Sequence, residues 1–180
     1  HCNNWEQFFA MAKTPNTAPQ ALLSLLEMGR RARMAATADE LAFMLVNGTH
    51  SLSPYRQAAL WWSDTGVQAL SGVVQPDHNA PYVDWLKALF KCQPLGDGLP
   101  TRVALADLPE EVRSTWADWL PAHGLIVPLA GNPAGNPTGA LLMARDEEWS
   151  DAELALLQEW SQIWLHAWRA RTAGLGSRSW

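Results

Sequence analysis

Cysteine is almost missing from this 180-residue sequence: Cys2 and Cys92 are the only two. Two thiols do not make a disulfide framework, and reduced cysteines in a cytoplasmic setting are the expectation. No CxxC or HExxH spacing occurs, and His1, His50, His78, His123 and His166 share no ligand spacing. That leaves no recognisable metal site. No apolar run reaches the ~18–20 residues that span a bilayer, and there is no signal-peptide pattern. Basic clusters beside aromatic residues are absent too, and the net charge is −5. A nucleic-acid partner, which would stack bases between cations, is therefore excluded.

What the chain has in excess is tryptophan: 11, against two tyrosines and four phenylalanines. Without interleaved cations these indoles read as packing residues for a thick core under long helices. A chain of this length buries roughly 70% of its unfolded surface in one domain. Residues 1–17 read as an N-terminal extension with a short helix, 18–173 as the domain, and 174–180 as a basic linker.

The stretch Pro54–Val74, PYRQAALWWSDTGVQALSGVV, organises the domain. It predicts two strands joined at Ser63-Asp64-Thr65-Gly66, where Gly66 supplies a positive φ and Asp64 bonds its own backbone. Tyr55, Ala59 and Trp61 alternate with Ala58, Leu60 and Trp62, so the first strand is apolar on both faces. A strand of that kind is covered on both sides. Ahead of it, a helix from Pro19 carries Leu22, Leu25, Leu26 and Gly29 on one face. Thr37-Ala38-Asp39-Glu40 is a capping box opening a second helix to about Ser51, which buries Leu41, Met44, Leu45 and Leu52. On that helix Gly48 is expected to approach the sheet closely, and Asn47, Thr49 and His50 to be solvated or capping.

Beyond the hairpin, Ala80-Pro81 opens a helix with Tyr82, Trp85, Leu86, Leu89 and Phe90 on one face. A strand is expected over Thr101–Leu105 and a helix from Asp107 to Leu120. Leu125–Leu129 and Ala140–Ala144 pair across the Gly-rich connection Gly131–Gly139. Ser150-Asp151-Ala152-Glu153 caps the longest helix, to about Thr172, with Leu154, Leu157, Trp160, Trp164 and Trp168 forming a wide apolar stripe. Hairpins at both ends of the strand order predict an α+β fold with an antiparallel sheet. Helices at the two ends of the domain are expected on one face, with loops and short helices on the other.

No constellation of catalytic residues emerges, and no cofactor is implied. Asp77-His78-Asn79 is the densest polar cluster, and Asx capping ahead of Pro81 accounts for it. Gly131–Gly139 lacks the following Lys-Ser/Thr of a phosphate loop. Cys92 reads as a small buried hydrophobe. The places expected to meet a ligand are the start of the first strand (Tyr55, Arg56, Gln57), its end (Trp62), the loop residues Asp77 and Asn79, and the lid-helix residues Tyr82 and Trp85.

Taken together the elements resemble a GAF domain over roughly Ala18–Thr172. The resemblance rests on the paired leading helices, the PYRQAALWW strand and hairpin, and the lid helix after DHNAPYVDWL. It also takes in GLIVPLAG, TGALLMARD and the capped last helix. THSLSPYRQAALW and SGVVQPDHNAPYVDW further resemble the cytoplasmic GAF portion of some bacterial HlyD-type periplasmic adaptor proteins of efflux pumps. The resemblance implies a non-enzymatic sensory or regulatory domain that binds a small molecule, dimerises, or both. A homodimer through the Pro19 and Ser150 helices is expected, motivated by the wide tryptophan stripe. Arg169, Arg171 and Arg178 suit helix C-terminal cations, and equally a cytoplasmic juxtamembrane segment with a membrane span after Trp180. The rival expectations are a structural assembly module without ligand, and a thiol enzyme acting through Cys92. Cys92 is followed by Gln93, unlike bilin-attaching GAF domains, and no NKFDE stretch of the cyclic-nucleotide type occurs.

Overall fold

The computed structural model describes residues 18–95, 98–129 and 138–176, with backbone alone for 174–176. The expected helix within 1–17, most of the 131–139 connection, and Arg178 lie outside the described residues. Helices α1 (Ala18–Met34) and α2 (Ala38–Phe43) precede β1 (Gln57–Trp62) and β2 (Gly66–Leu70). Then come α3 (Pro81–Cys92), β3 (Thr101–Arg102), α4 (Glu110–Arg113), α5 (Trp116–Trp119), β4 (His123–Leu129), β5 (Gly139–Arg145) and α6 (Asp151–Gly176). All neighbours pair antiparallel, in the order β2-β1-β5-β4-β3. This is the α+β architecture expected from the sequence.

The hairpin turns where its chemistry requires, with Gly66 at φ 84°. Register shifts between Leu60 and Trp61, which face Ala69 and Val67, so Gln68 is a bulge. The bulge lets Val67 and Leu70, three apart, join one side of the sheet. Elsewhere alternation is regular. Ala58, Leu60, Trp62, Leu125, Val127, Leu141 and Met143 face α1, α2 and α6. Ala59, Ile126, Ala140, Leu142 and Ala144 face α3, α4 and α5. Pro128 sits beyond the reach of β3, whose pairs stop at Ile126, so its missing N–H costs no bond there.

Tryptophan is the core of both layers, and most indoles are also tied. Trp160 Nε1 donates to Thr49 Oγ1 (2.9 Å), Trp164 Nε1 to Leu41 O (2.7 Å) and Trp116 Nε1 to Pro121 O (2.7 Å). Thr49 is fully buried, not solvated: its hydroxyl donates to Leu45 O and accepts from Trp160. Trp62, Trp164 and Trp168 stack with centroids 5.2–6.2 Å apart.

Both capping boxes form. Glu40 N donates to Thr37 Oγ1, and the Glu40 carboxylate accepts from Ala36 N. Glu153 N donates to Ser150 Oγ, and Ser150 N donates back to Glu153. After Phe43 the second helix loosens into a π-turn over Met44–Gly48 and a 3-10 turn over Thr49–Ser51. Gly48 approaches Met28 of α1 instead of the sheet.

Three elements differ from expectation. In α1 the buried residues are Met28, Gly29 and Ala32, with Leu25 packed against the core, whereas Leu22, Leu23 and Leu26 are exposed. Positions 25, 28, 29 and 32 are also an i, i+3, i+4, i+7 set, and this second stripe is the one that meets α6. The strand at 101 is two residues long, with Leu105–Asp107 a 3-10 turn. The helix from 107 to 120 is instead two short helices, interrupted at Ser114-Thr115.

Candidate ligand site

Where the hairpin leaves the sheet, the start of β1 and the end of β2 meet the first turn of α3. A cleft of about 350 Å³ lies there, lined by Arg56, Gln57, Leu70, Ser71, Tyr82 and Trp119 among others. Ser71 is placed by its own bonds: its N–H donates to Ala58 O (2.9 Å) and its Oγ accepts from Ala58 N (2.8 Å). The turn continues through Gly72, whose N–H donates to Asn47 Oδ1 at 2.9 Å.

Tyr82 is fixed on two sides. Its hydroxyl donates to Gln57 Oε1 at 3.1 Å, and its ring stacks on Trp119 at 5.4 Å and 25°. Burial pushes the Tyr82 phenol well above its ordinary pKa, so it stays a neutral donor. Trp85, one turn along α3, stacks behind Tyr82 at 6.4 Å and donates Nε1–H to Thr115 Oγ1 at 2.8 Å. Arg56 donates to both oxygens of Asp146 at 3.1 Å, and both side chains are exposed. The cleft thus offers an aromatic wall, an amide, a neutral hydroxyl and one solvated, paired cation. It suits a small planar or amphiphilic molecule held by stacking and a few polar bonds.

Of the eight residues expected to meet a ligand, Arg56, Gln57 and Tyr82 line this cleft. Trp85 supports it from behind. Tyr55 and Trp62 belong to the opposite layer of the sheet, among α1, α2 and α6. The Tyr55 hydroxyl donates to Val46 O, and burial raises its pKa. Asp77 and Asn79 form an Asx turn, with Asn79 N donating to Asp77 Oδ1 (2.9 Å), and do not line the cleft. Ser71 and Trp119 join the site unannounced. Trp119 carries no local signal that would have singled it out, since a tryptophan on a short helix reads the same in a core as on a wall.

Cys92 donates its thiol to Leu89 O at 3.2 Å, and burial raises its pKa. A thiol so held is a poor thiolate nucleophile. Among the described residues no group of three His, Cys, Asp or Glu side chains is placed to hold a metal ion. None of the described helices is long and apolar enough to cross a membrane.

No protein-family model and no curated protein matches the sequence. Solved structures do match in shape. The GAF domain of a phosphoenolpyruvate-protein phosphotransferase from Coxiella burnetii superposes with a TM-score of 0.62 at 16% identity, over 90% of this chain and 99% of that one. A GAF domain/HD domain protein from Geobacter sulfurreducens gives 0.51 at 20% identity, over 78% of this chain and 95% of that one. The N-acylhomoserine-lactone-dependent LuxR-family factor CepR2 from Burkholderia cenocepacia gives 0.53 at 15% identity, over 86% of this chain and 99% of that one. The five-stranded antiparallel sheet between two helical layers is therefore the fold of GAF domains.

Proposed function

We propose that this chain is a non-enzymatic sensory or regulatory GAF-like domain that takes a small molecule in the cleft between Gln57, Tyr82 and Trp119. The observation that carries the reading is that cleft: an aromatic wall and a prepositioned amide–phenol pair at the open end of a buried hairpin. Two solved structures of the same fold are GAF domains, and a third belongs to a factor described as acylhomoserine-lactone-dependent. Acylated lactones therefore belong beside metabolites and efflux substrates in a thermal-shift screen. A compound at 100 times its Kd raises stability by about 2.7 kcal/mol. Trp119→Ala should abolish that shift, and a library that stabilises nothing favours an assembly module with no ligand.

The same reading places the domain in a larger bacterial, membrane-associated and efflux-related protein, on the cytoplasmic side. Its support is the likeness of THSLSPYRQAALW and SGVVQPDHNAPYVDW to the adaptor GAF portion. A transmembrane segment and lipoyl-like repeats encoded after Trp180 are the check. Dimerisation goes with it, through α1 more than α6. Trp160 and Trp164 are fully buried within the domain, while Leu22, Leu23 and Leu26 stand exposed on α1. Sedimentation should show a dimer that Leu26→Glu dissociates, and a monomer at high concentration removes this part of the proposal.

A further inference from the structure

The polar groups of the cleft beside Gln57 are unevenly matched. Among the described residues its lining holds one cation, Arg56, and no carboxylate. Tyr82 brings no negative charge, because burial keeps its phenol protonated. Free donors also outnumber free acceptors. Gln57 Oε1 is taken by the Tyr82 hydroxyl, while the two hydrogens on Gln57 Nε2 meet no acceptor among the described residues. Ser71 Oγ accepts from Ala58 N, and its own hydrogen likewise meets no acceptor there. The rest of the lining is apolar or aromatic: buried Leu70, exposed Val73, and the Trp119 ring stacked on Tyr82.

Arg56 is only partly used. Its Nη1 alone reaches both oxygens of Asp146, at 3.1 Å, and its Nε and Nη2 make no bond among the described residues. The two side chains are 63% and 58% exposed, and an ion pair in that setting holds weakly. A guanidinium binds a carboxylate best through two parallel bonds from two nitrogens, which Asp146 does not provide. Asp146 is therefore a replaceable partner.

We propose that the ligand of this cleft, granted the reading above that the cleft is the binding site, is a compact planar carboxylate. Its ring lies against Trp119, and its carboxylate replaces Asp146 on Arg56 and accepts from Gln57 Nε2. The size follows from the volume of about 350 Å³, near the low end for small-molecule sites. The charge follows from the lining: surplus donors call for acceptors on the ligand, and a cation without a lining carboxylate calls for an anion. A neutral amide or lactone would use Gln57 and Ser71 and gain nothing from Arg56.

The probes are benzoate, 2-naphthoate and the methyl ester of each, titrated into the full chain by calorimetry while amide resonances report where they bind. At least one acid should shift Gln57, Ser71 and Tyr82, and its uncharged ester should bind about tenfold more weakly or worse. Arg56→Gln should bring the acid down to the level of its ester. Asp146→Asn should act in the opposite direction and tighten the acid by about threefold, because it removes the competitor for Arg56. Both positions are exposed, so neither substitution should move the melting temperature. An ester that binds as well as its acid overturns the proposal, as does an acid indifferent to Arg56→Gln or weakened by Asp146→Asn. Failure of both acids to bind, or shifts that map elsewhere, also overturns it. The thermal-shift screen separates the two readings: a neutral compound that shifts Gln57 and Tyr82 when neither acid does removes the carboxylate alone. A screen in which no compound of any class binds the cleft removes both.

Discussion

Glu153 is the residue through which the fold should report its own acid sensitivity. Its carboxylate receives a two-pronged ion pair from Arg145, at 2.6 and 2.7 Å, and further bonds from the Ser53 hydroxyl, Ser150 Oγ and Ser150 N. Arg145 is satisfied as well: it donates to Glu147 O, Glu148 O and Pro54 O, and lies 3.9 Å over the Trp149 ring. The clamp ties the end of β5 to the first turn of α6 and to the segment leading into β1. Burial works against ionisation of Glu153, but the bonds from Arg145, Ser53 and Ser150 outweigh it and lower the pKa from 4.5 to about 2. A carboxyl whose pKa falls on folding binds its proton more tightly when unfolded, so it stabilises the fold at high pH. The contribution is complete above about 4.5 and is lost as pH falls towards 2. At 1.36 kcal/mol per pKa unit it amounts to roughly 3 kcal/mol. The side chain is only 16% exposed, so solvent screening removes little of this.

The experiment is urea unfolding of the wild type and Glu153→Gln, followed by tryptophan fluorescence from pH 7 to pH 2. At neutral pH the variant should be less stable by about 3–5 kcal/mol, because Arg145 is left buried without its counter-charge. The gap should narrow steadily below pH 4.5. Adding Arg145→Met to Glu153→Gln should recover part of the loss, since the orphaned charge goes with it. A gap of constant size from pH 7 to pH 2 would refute the reasoning, because the stabilisation would then not come from the ionised carboxylate.

Three further outcomes follow from packing and caps. A Cβ at Gly139 would meet the Trp62 ring and stand 2.7 Å from Trp61 O, so Gly139→Ala should cost about 3 kcal/mol in chemical denaturation. Trp62 Nε1 is buried with no hydrogen-bond partner, whereas Trp164 Nε1 bonds Leu41 O. Trp164→Phe should therefore destabilise more than Trp62→Phe, by about 1–3 kcal/mol, and equal losses would mean that the indole bond contributes nothing. Thr37→Ala removes the acceptor for Glu40 N and should lower stability by about 1 kcal/mol, read as a drop in melting temperature.

Local chemistry made most of the fold legible. Ser63–Gly66, the two capping boxes and Ala80-Pro81 each specify an element boundary through a turn or cap that acts within four residues, and each stands where it was expected. What misled was choice among equivalents. Helix α1 carries two overlapping apolar stripes, and only the tertiary partner decides that Leu25, Met28, Gly29 and Ala32 face inward while Leu22 and Leu26 do not. Thr49 illustrates the same limit from the polar side. A threonine near a helix end reads as solvated until an indole more than a hundred residues away supplies its donor.

The candidate site was legible only where it coincides with the hairpin. Arg56 and Gln57 stood out because polar residues interrupt an apolar strand, and Tyr82 because its helix follows the hairpin directly. Tyr55 shows why parity fails at a strand's edge: β1 begins at Gln57, so alternation counted from Tyr55 assigned it to the wrong layer. Trp62 was correctly placed opposite Trp61, and that same alternation puts it with α6 and away from the cleft. The chain's excess of tryptophan hides the one that lines the cleft. Trp116 and Trp119 differ by three positions on one short helix, yet the first is sealed in the core and the second walls the cleft against Tyr82. Composition treats them alike, and only their tertiary partners separate them: Trp116 Nε1 donates to Pro121 O inside the core, while the Trp119 ring stacks on Tyr82 at the cleft.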